Sequence, residues 1–377
     1  MTVISGGRIV TPDGVLAEGW LQTDGRTIAR LGAGAPPEPP DRELGGTWVV
    51  PGFVDVHVHG GGRASYVAGD QDQALTAAAL HRQHGTTTTM ASLVSGTPET
   101  LAAAVSELAE LVEDGVLAGI HLEGPFLSTK RCGAHDPALL IEPEADVVRK
   151  LLDAGRGAIK MVTLAAELRH ATKAVATLAG EGVIAAIGHT DASYDETRTA
   201  IGAGATVATH LFNAMRPVHH REPGPIPALL EDERVTIELI CDGVHLHPAI
   251  VRTAIAGAGT DRVVLVTDAM DAAGAGDGDY VLGALAVQVV DGVARLVEGG
   301  SIAGSTLTMD RAFRFVIEAG VSVPDAVRMT STNPARLLGL SGRVGELRPG
   351  LDADVVVLDA DFRLRAVMAK GEWVDAG

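Results

Sequence analysis

Eight short apolar runs, separated along the middle of the chain by helix-like stretches, constrain its fold more than any other feature. They are Val50–Val58, Thr86–Ser92, Leu117–Leu122, Ile159–Leu164, Val183–Ile187, Thr206–Leu211, Val235–Ile240 and Val263–Thr267. Most are rich in branched aliphatics with little polar alternation, the pattern of a strand covered on both faces. Helical stretches lie between most of them: Gln71–His84, Pro98–Asp114, Glu144–Ala154, Leu168–Gly180 and Ser193–Ala203. Strands alternating with helices build a parallel sheet, and eight such units predict an α/β fold of the (β/α)8 TIM-barrel type. The spacer from Ala214 to Glu233 is loop-rich, and Ala273 to Ser305 reads as a hairpin inserted after the eighth strand.

The two ends share a different style. Gly7–Val10, Gly19–Thr23 and Thr27–Leu31 are short strands punctuated by turns at Asp13-Gly14 and Asp24-Gly25, and a loop rich in Pro and Gly follows. Gly345-Glu346-Leu347, Asp354–Leu358 and Arg365–Val374 read the same way at the C-terminus. Neither end has enough strands for a stable sheet by itself. The expectation is therefore one small β-sandwich domain built from residues 1–50 and 345–377, with the barrel occupying 51–344.

Composition narrows the function classes. The formal net charge is −18, with no basic cluster or basic helix, which argues against nucleic acid and anionic membranes as partners. No apolar stretch reaches the roughly 18 residues of a membrane span, and the N-terminus lacks the basic and apolar regions of a signal peptide. Two cysteines, Cys132 and Cys241, give no disulfide framework, so a cytoplasmic location is expected. With 3% aromatic residues, a polar ligand would be held by hydrogen bonds and charge rather than by stacking.

The chemistry resides in a set of histidines and acids. Side chains at i and i+2 of a strand share a face, so His57 and His59 form a short two-imidazole claw at the end of the first run. An isolated His-x-His is more often a pair of core histidines, and the positions of the other ligands reverse that weighing. Glu123 follows the third run, His189 follows the fifth, His210 ends the sixth and Asp268 ends the eighth. All fall at the C-terminal mouth, where barrel enzymes keep their chemistry. Glu123, His189 and His210 supply three protein ligands and leave a fourth place for water, whose pKa a divalent cation lowers toward neutral. Asp268 is placed to accept that water's proton and return it to a leaving group. His57 and His59 complete a second metal position. One or two divalent ions per subunit are expected, zinc first, with iron, manganese and cobalt suiting the same donors.

Several segments carry a family resemblance: Pro51-Gly52-Phe53-Val54-Asp55, His121-Leu122-Glu123-Gly124-Pro125-Phe126, Gly188-His189-Thr190, His210-Leu211-Phe212-Asn213-Ala214-Met215, Asp242-Gly243-Val244-His245, Thr267-Asp268-Ala269-Met270 and Ala303-Gly304-Ser305-Thr306. The chain resembles the amidohydrolase superfamily in its branch of amino-sugar-phosphate deacetylases, over nearly its whole length. The resemblance implies hydrolysis of the N-acetyl amide of N-acetyl-D-glucosamine 6-phosphate to D-glucosamine 6-phosphate and acetate. It implies Glu123, His189 and His210 on the primary metal and Asp268 as catalytic acid and base. It also implies substrate contacts from His135, Asn213, Ala214, His245 and the Ala303, Gly304, Ser305 wall. Arg221 would reach the phosphate across the interface of a homodimer.

The remaining candidates carry less. Lys160 precedes its strand end by about four residues and reads as structural. Cys132 reads as a loop thiol and Cys241 as a small buried hydrophobe. His219 and His220 either add to a basic patch with Arg221 or are solvated loop residues. Two alternatives stay open: an amidohydrolase acting on a cyclic amide or an N-acyl amino acid, and a non-catalytic barrel scaffold.

Overall fold

A computed structural model describes residues 1–374; the last three residues of the expected C-terminal segment, 375–377, lie outside the described residues. The chain divides into two compact units, one of Met1–Asp55, Ala79–Thr88 and the stretch from Thr308 onward, the other of Val56–Ala78 and Thr89–Leu307.

In the first unit, strands from both termini join one eight-stranded sheet. Thr2–Thr11 and Gly14–Asp24 pair antiparallel around a turn that Gly14 makes at φ +130°, and Gly14–Asp24 pairs onward with Thr27–Ala33. Trp48–Pro51 is the junction, parallel to Thr2–Thr11 on one side and antiparallel to Val355–Leu358 on the other. Leu364–Ala369 and Glu372–Trp373 extend the C-terminal side. The sheet rolls so that its edge strand Thr27–Ala33 meets the segment just before Val355–Leu358, with Ile28 N donating to Leu351 O and Ala353 N to Arg26 O at 2.8 Å each. That roll buries Ile4, Leu21, Ile28, Val355, Val357 and Met368 in one core, each side chain worth about 1.5–3 kcal/mol. Gly345-Glu346-Leu347, expected as a strand, is a turn instead: Gly345 sits at φ +92°, outside the strand region, while Leu347 is fully buried in that core.

Asp354 gives this unit a pH signature. Burial pushes its carboxyl up to about 6 from the ordinary 3.8, against the pull of the Lys370 amide, which donates to Oδ1 at 2.7 Å. A raised folded-state pKa contributes stability that is complete below pH 3.8 and lost as pH rises through 6. Asp354→Asn cannot ionise, so its stability relative to wild type should improve by roughly 2 kcal/mol between pH 4 and pH 8. Urea melts at both pH values measure this, and an unchanged difference would show that Asp354 is not held protonated.

In the second unit, seven strands form a parallel sheet in chain order: Ala91–Leu93, Ile120–Glu123, Ile159–Leu164, Ile184–Ile187, Ala205–Ala208, Thr236–Ile240 and Val263–Val266. Backbone bonds from the segment after Asp55 close the ring, Ser92 N donating to Val58 O and Asp268 N to His57 O at 2.9 Å each. The expected barrel is present. Inside it, Gly188 stands where a Cβ would lie 2.6 Å from Thr209 Cβ, so only glycine lets these strands close. The covering helices follow from local chemistry. In Pro98–Glu113, Thr97 caps the Thr100 amide, proline opens the first turn, and Leu101, Ala104, Val105 and Leu108 make the buried stripe. Ser193 and Glu196 form a capping box before Tyr194–Ala203. The expected hairpin insertion is a three-stranded meander, Gly278–Leu282, Leu285–Val290 and Val293–Leu296, and the loop-rich spacer contains one short helix, Pro225–Glu231. Among the described residues no helix is long and apolar enough to cross a membrane.

Candidate metal centre

The strand ends aim their side chains at one point. Glu123 closes Ile120–Glu123, while His189, His210 and Asp268 lie two residues beyond the ends of their strands. Those three take left-handed backbone angles, φ +47°, +27° and +49°, which turn each side chain inward as the chain leaves the sheet. His57 and His59 lie just past Asp55, and their Nε2 atoms approach to 3.2 Å.

Two groups of donor atoms result, with Glu123 in both. Glu123 Oε1 lies 3.0 Å from His189 Nε2 and 2.9 Å from His210 Nε2, and those nitrogens are 3.1 Å apart. Glu123 Oε2 lies 3.2 Å from His59 Nε2 and 3.6 Å from His57 Nε2, while Asp268 Oδ1 is 3.1 Å and 3.5 Å from the same two nitrogens. Tetrahedral ligands on bonds of about 2.1 Å stand about 3.4 Å apart, so both groups have the spacing of a cation's ligand shell.

For three of the rings, the far side settles which nitrogen faces inward. His59 Nδ1 faces Ser92 O at 3.1 Å and His189 Nδ1 faces Arg131 O at 2.9 Å. A carbonyl only accepts, so Nδ1 of both rings carries a proton and Nε2 is the nitrogen left to face a cation. His57 Nδ1 faces Glu238 Oε2 at 3.2 Å with the same consequence. Beneath them His121 is a core histidine, its Nδ1 bonded to Ser92 Oγ at 3.0 Å and its Nε2 to Thr163 Oγ1 at 2.8 Å.

Three fully or nearly buried carboxylates, Glu123, Glu238 and Asp268, make the region strongly negative. Burial alone would depress the imidazoles. The acids nevertheless push His57 well above the usual range and His59 up to about 9. Burial would likewise raise Asp268, yet the hydrogen bond from His59 and the charges of His57 and His59 hold it well below. A field that gathers protons onto imidazoles is the field that binds a divalent cation, and the donor set fits one.

Beside this cluster opens a cavity of about 380 Å³, within the size range of small-molecule sites. His135, Asn213, Ala214, His245 and Gly304 line it, with Ser301 and Ile302. Of the expected wall only Gly304 is in the lining; Ala303 is buried, and Ser305 Oγ donates to Thr267 O at 2.6 Å. Ser95 N and its hydroxyl both bond His135 Nδ1, at 3.2 and 2.9 Å, so that ring keeps its proton on Nε2, 3.4 Å from Glu123 Oε2. Asp242 Oδ2 holds His245 Nδ1 at 2.7 Å and, against burial, raises its pKa. Arg221 is exposed, outside the cavity lining, with its Nη1 donating to His220 Nε2 at 2.8 Å. Lys160 Nζ donates to Gly157 O, and Cys241 is fully buried, its thiol pushed upward by burial.

Sequence reasoning missed four groups here. Lys130 and Arg131 line the cavity, Asp242 orients His245, and Glu238 braces His57. Glu238 left a signal, a lone charge within the apolar run Val235–Ile240, and Asp242 stood in the Asp242-Gly243-Val244-His245 segment without its role being read.

Residues 48–374 match the amidohydrolase family. The chain is 36% identical to the N-acetylgalactosamine-6-phosphate deacetylase of Escherichia coli O157:H7 over 94% of this chain and 96% of that one. It is 34% identical to the N-acetylglucosamine-6-phosphate deacetylase of Bacillus subtilis, over 96% and 94%. Its fold is similar, with TM-score 0.96, 50% identity and 99% of each chain covered, to an N-acetyl-D-glucosamine-6-phosphate deacetylase from Mycobacterium smegmatis. That protein was solved as an aspartate-to-alanine variant in complex with N-acetyl-D-glucosamine-6-phosphate.

Proposed function

The chain belongs to the amidohydrolase family, and from that membership we propose that it hydrolyses the N-acetyl amide of N-acetyl-D-glucosamine 6-phosphate to D-glucosamine 6-phosphate and acetate. The observation that carries this is the convergence of Glu123, His189 and His210 within about 3 Å of one another beside a substrate-sized cavity. Glu123, His189 and His210 would hold one divalent cation, and His57, His59, Glu123 and Asp268 a second. Zinc is the first candidate, and iron, manganese and cobalt suit the same donors. Such a cation supplies Lewis acidity, polarising a carbonyl and acidifying water.

The chain's own residues do the rest. Asp268 Oδ1, ionised at neutral pH, accepts the proton of the attacking water and passes it to the departing amine. His135 donates from Nε2 to the acetamide, its tautomer fixed by Ser95. His245, braced by Asp242, contacts the sugar. Asn213 and Ala214 contact the phosphate, with charge from Lys130 and Arg131, which an anionic substrate needs in so acidic a protein. The two free thiols and a phosphorylated substrate support a cytoplasmic location.

The test is acetate release by purified protein reloaded with Zn2+ after chelation. Release from N-acetylglucosamine 6-phosphate should exceed that from the unphosphorylated sugar by about 100-fold in kcat/KM. The 4-epimer, N-acetylgalactosamine 6-phosphate, is the comparator that the E. coli relative calls for. No acetate from either phosphate would refute the proposal.

Arg221 completes a neighbouring site in a homodimer. Arg221→Ala should raise KM about tenfold with kcat nearly unchanged, the mark of lost uniform binding. Mixed dimers of Arg221→Ala and Asp268→Asn subunits should regain one normal site, and mixtures no better than their parents would show that Arg221 does not act in trans.

A further inference from the structure

Glu238 lies in the middle of Thr236–Ile240, fully buried, with apolar neighbours on either side in sequence. A carboxylate there is costly unless its charge is answered. Its Oε2 is 3.2 Å from His57 Nδ1 and accepts the His210 amide at 3.1 Å, while Oε1 has no hydrogen-bond partner among the described residues.

The outer partners of the inward-facing histidines are not equal. His59 and His189 lean on backbone carbonyls, Ser92 O and Arg131 O, and His210 Nδ1 has no hydrogen-bond partner among the described residues. His57 alone leans on a carboxylate. Carboxylate support raises the electron density at the opposite nitrogen and locks the ring, and its loss typically costs about 10- to 100-fold in metal affinity. Glu238 therefore reaches a ligand ring at the His57/His59 position, while its contact with the Glu123/His189/His210 group is the His210 backbone amide.

We infer that Glu238 is the positioning residue of the second cation: through His57 it decides whether the His57/His59 position fills, and so whether the centre holds one ion or two. The inference rests on the two-cation reading above, and it concerns ion binding alone, independent of which amide the enzyme cleaves.

The experiment titrates chelator-treated protein with Mn2+ by calorimetry and EPR, where two ions sharing the Glu123 carboxylate give a coupled signal distinct from a lone ion. Wild-type protein should take two equivalents. In Glu238→Gln the weaker equivalent should lose 10- to 100-fold in affinity, the tighter should stay within about threefold, and the coupled signal should fade at matched Mn2+. In a His57→Asn background the same substitution should change nothing further, because the ring through which it acts is gone. Glu238→Asp carries the same test should Glu238→Gln fail to fold, since shortening withdraws the oxygen from His57 while keeping the charge.

Uptake of only one Mn2+ by wild-type protein would overturn the inference, as would equal weakening of both equivalents, which would assign Glu238 to the His210 amide. A loss that persists without His57 would overturn it too. Acetate release tests the deacetylase reading separately, so the two can fail independently.

Discussion

Asp268→Asn is expected to lower kcat at least about 1,000-fold, some 4 kcal/mol of transition-state stabilisation, with little change in KM. Asparagine preserves the shape and can still bond His59, whose Nε2 lies 3.1 Å from Oδ1. It cannot take a proton from water or return one to the amine. The substitution also removes one of the three buried carboxylates, so ion content must be measured beside rate. Full cation occupancy with kcat reduced would place the loss in proton transfer, and a rate within tenfold of wild type would remove Asp268 from the reaction. The carboxylate is held ionised far below neutral pH, so the pH dependence of kcat/KM around neutrality belongs to other groups and should persist in Asp268→Asn.

Glu123→Gln should be as damaging for a different reason. One oxygen faces His189 and His210 and the other faces His59, so a single carboxylate serves both donor groups. A neutral amide in that place weakens both positions together, and the expected outcome is loss of bound cation and a fall of about 1,000- to 10,000-fold in kcat/KM. Metal analysis after dialysis is the decisive measurement. Retention of two tightly held ions by Glu123→Gln would mean that the carboxylate does not bridge. His57→Asn gives the contrast, since it should cost one ion and leave the other.

Most of the barrel was legible because buried parallel strands write themselves as unbroken apolar runs. Ile159–Leu164 was placed to the residue, and Thr236–Ile240 and Val263–Val266 to within one. The metal centre was legible for a related reason. In this fold every strand delivers its last residues to one mouth, so listing the acids and histidines at run ends lists the donor side chains that converge there. What stayed hidden were partnerships across distance. His57 and Glu238 are 181 residues apart, and nothing near either one announces the other. Arg131 supports His189 through a carbonyl, a group every residue carries, so residue type holds no trace of it. Gly345-Glu346-Leu347 looked like a strand because one apolar residue beside a charge mimics alternation, whereas the chain bends at its glycine, which sits at φ +92°. The lining of the cavity depends on loop paths, which is why Gly304 was separable from Ala303 and Ser305 only in three dimensions.

The backbone twist shared by His189, His210 and Asp268 has an evolutionary price tag. Each holds a non-glycine residue in a conformation that disfavours it by roughly 1–2 kcal/mol. Glycine at any of the three would relax the chain and make a sturdier protein with a blunted reactive mouth. A screen that rewards heat tolerance alone should therefore drift toward inactive proteins at these sites first, and thermostable variants worth keeping will carry their gains elsewhere.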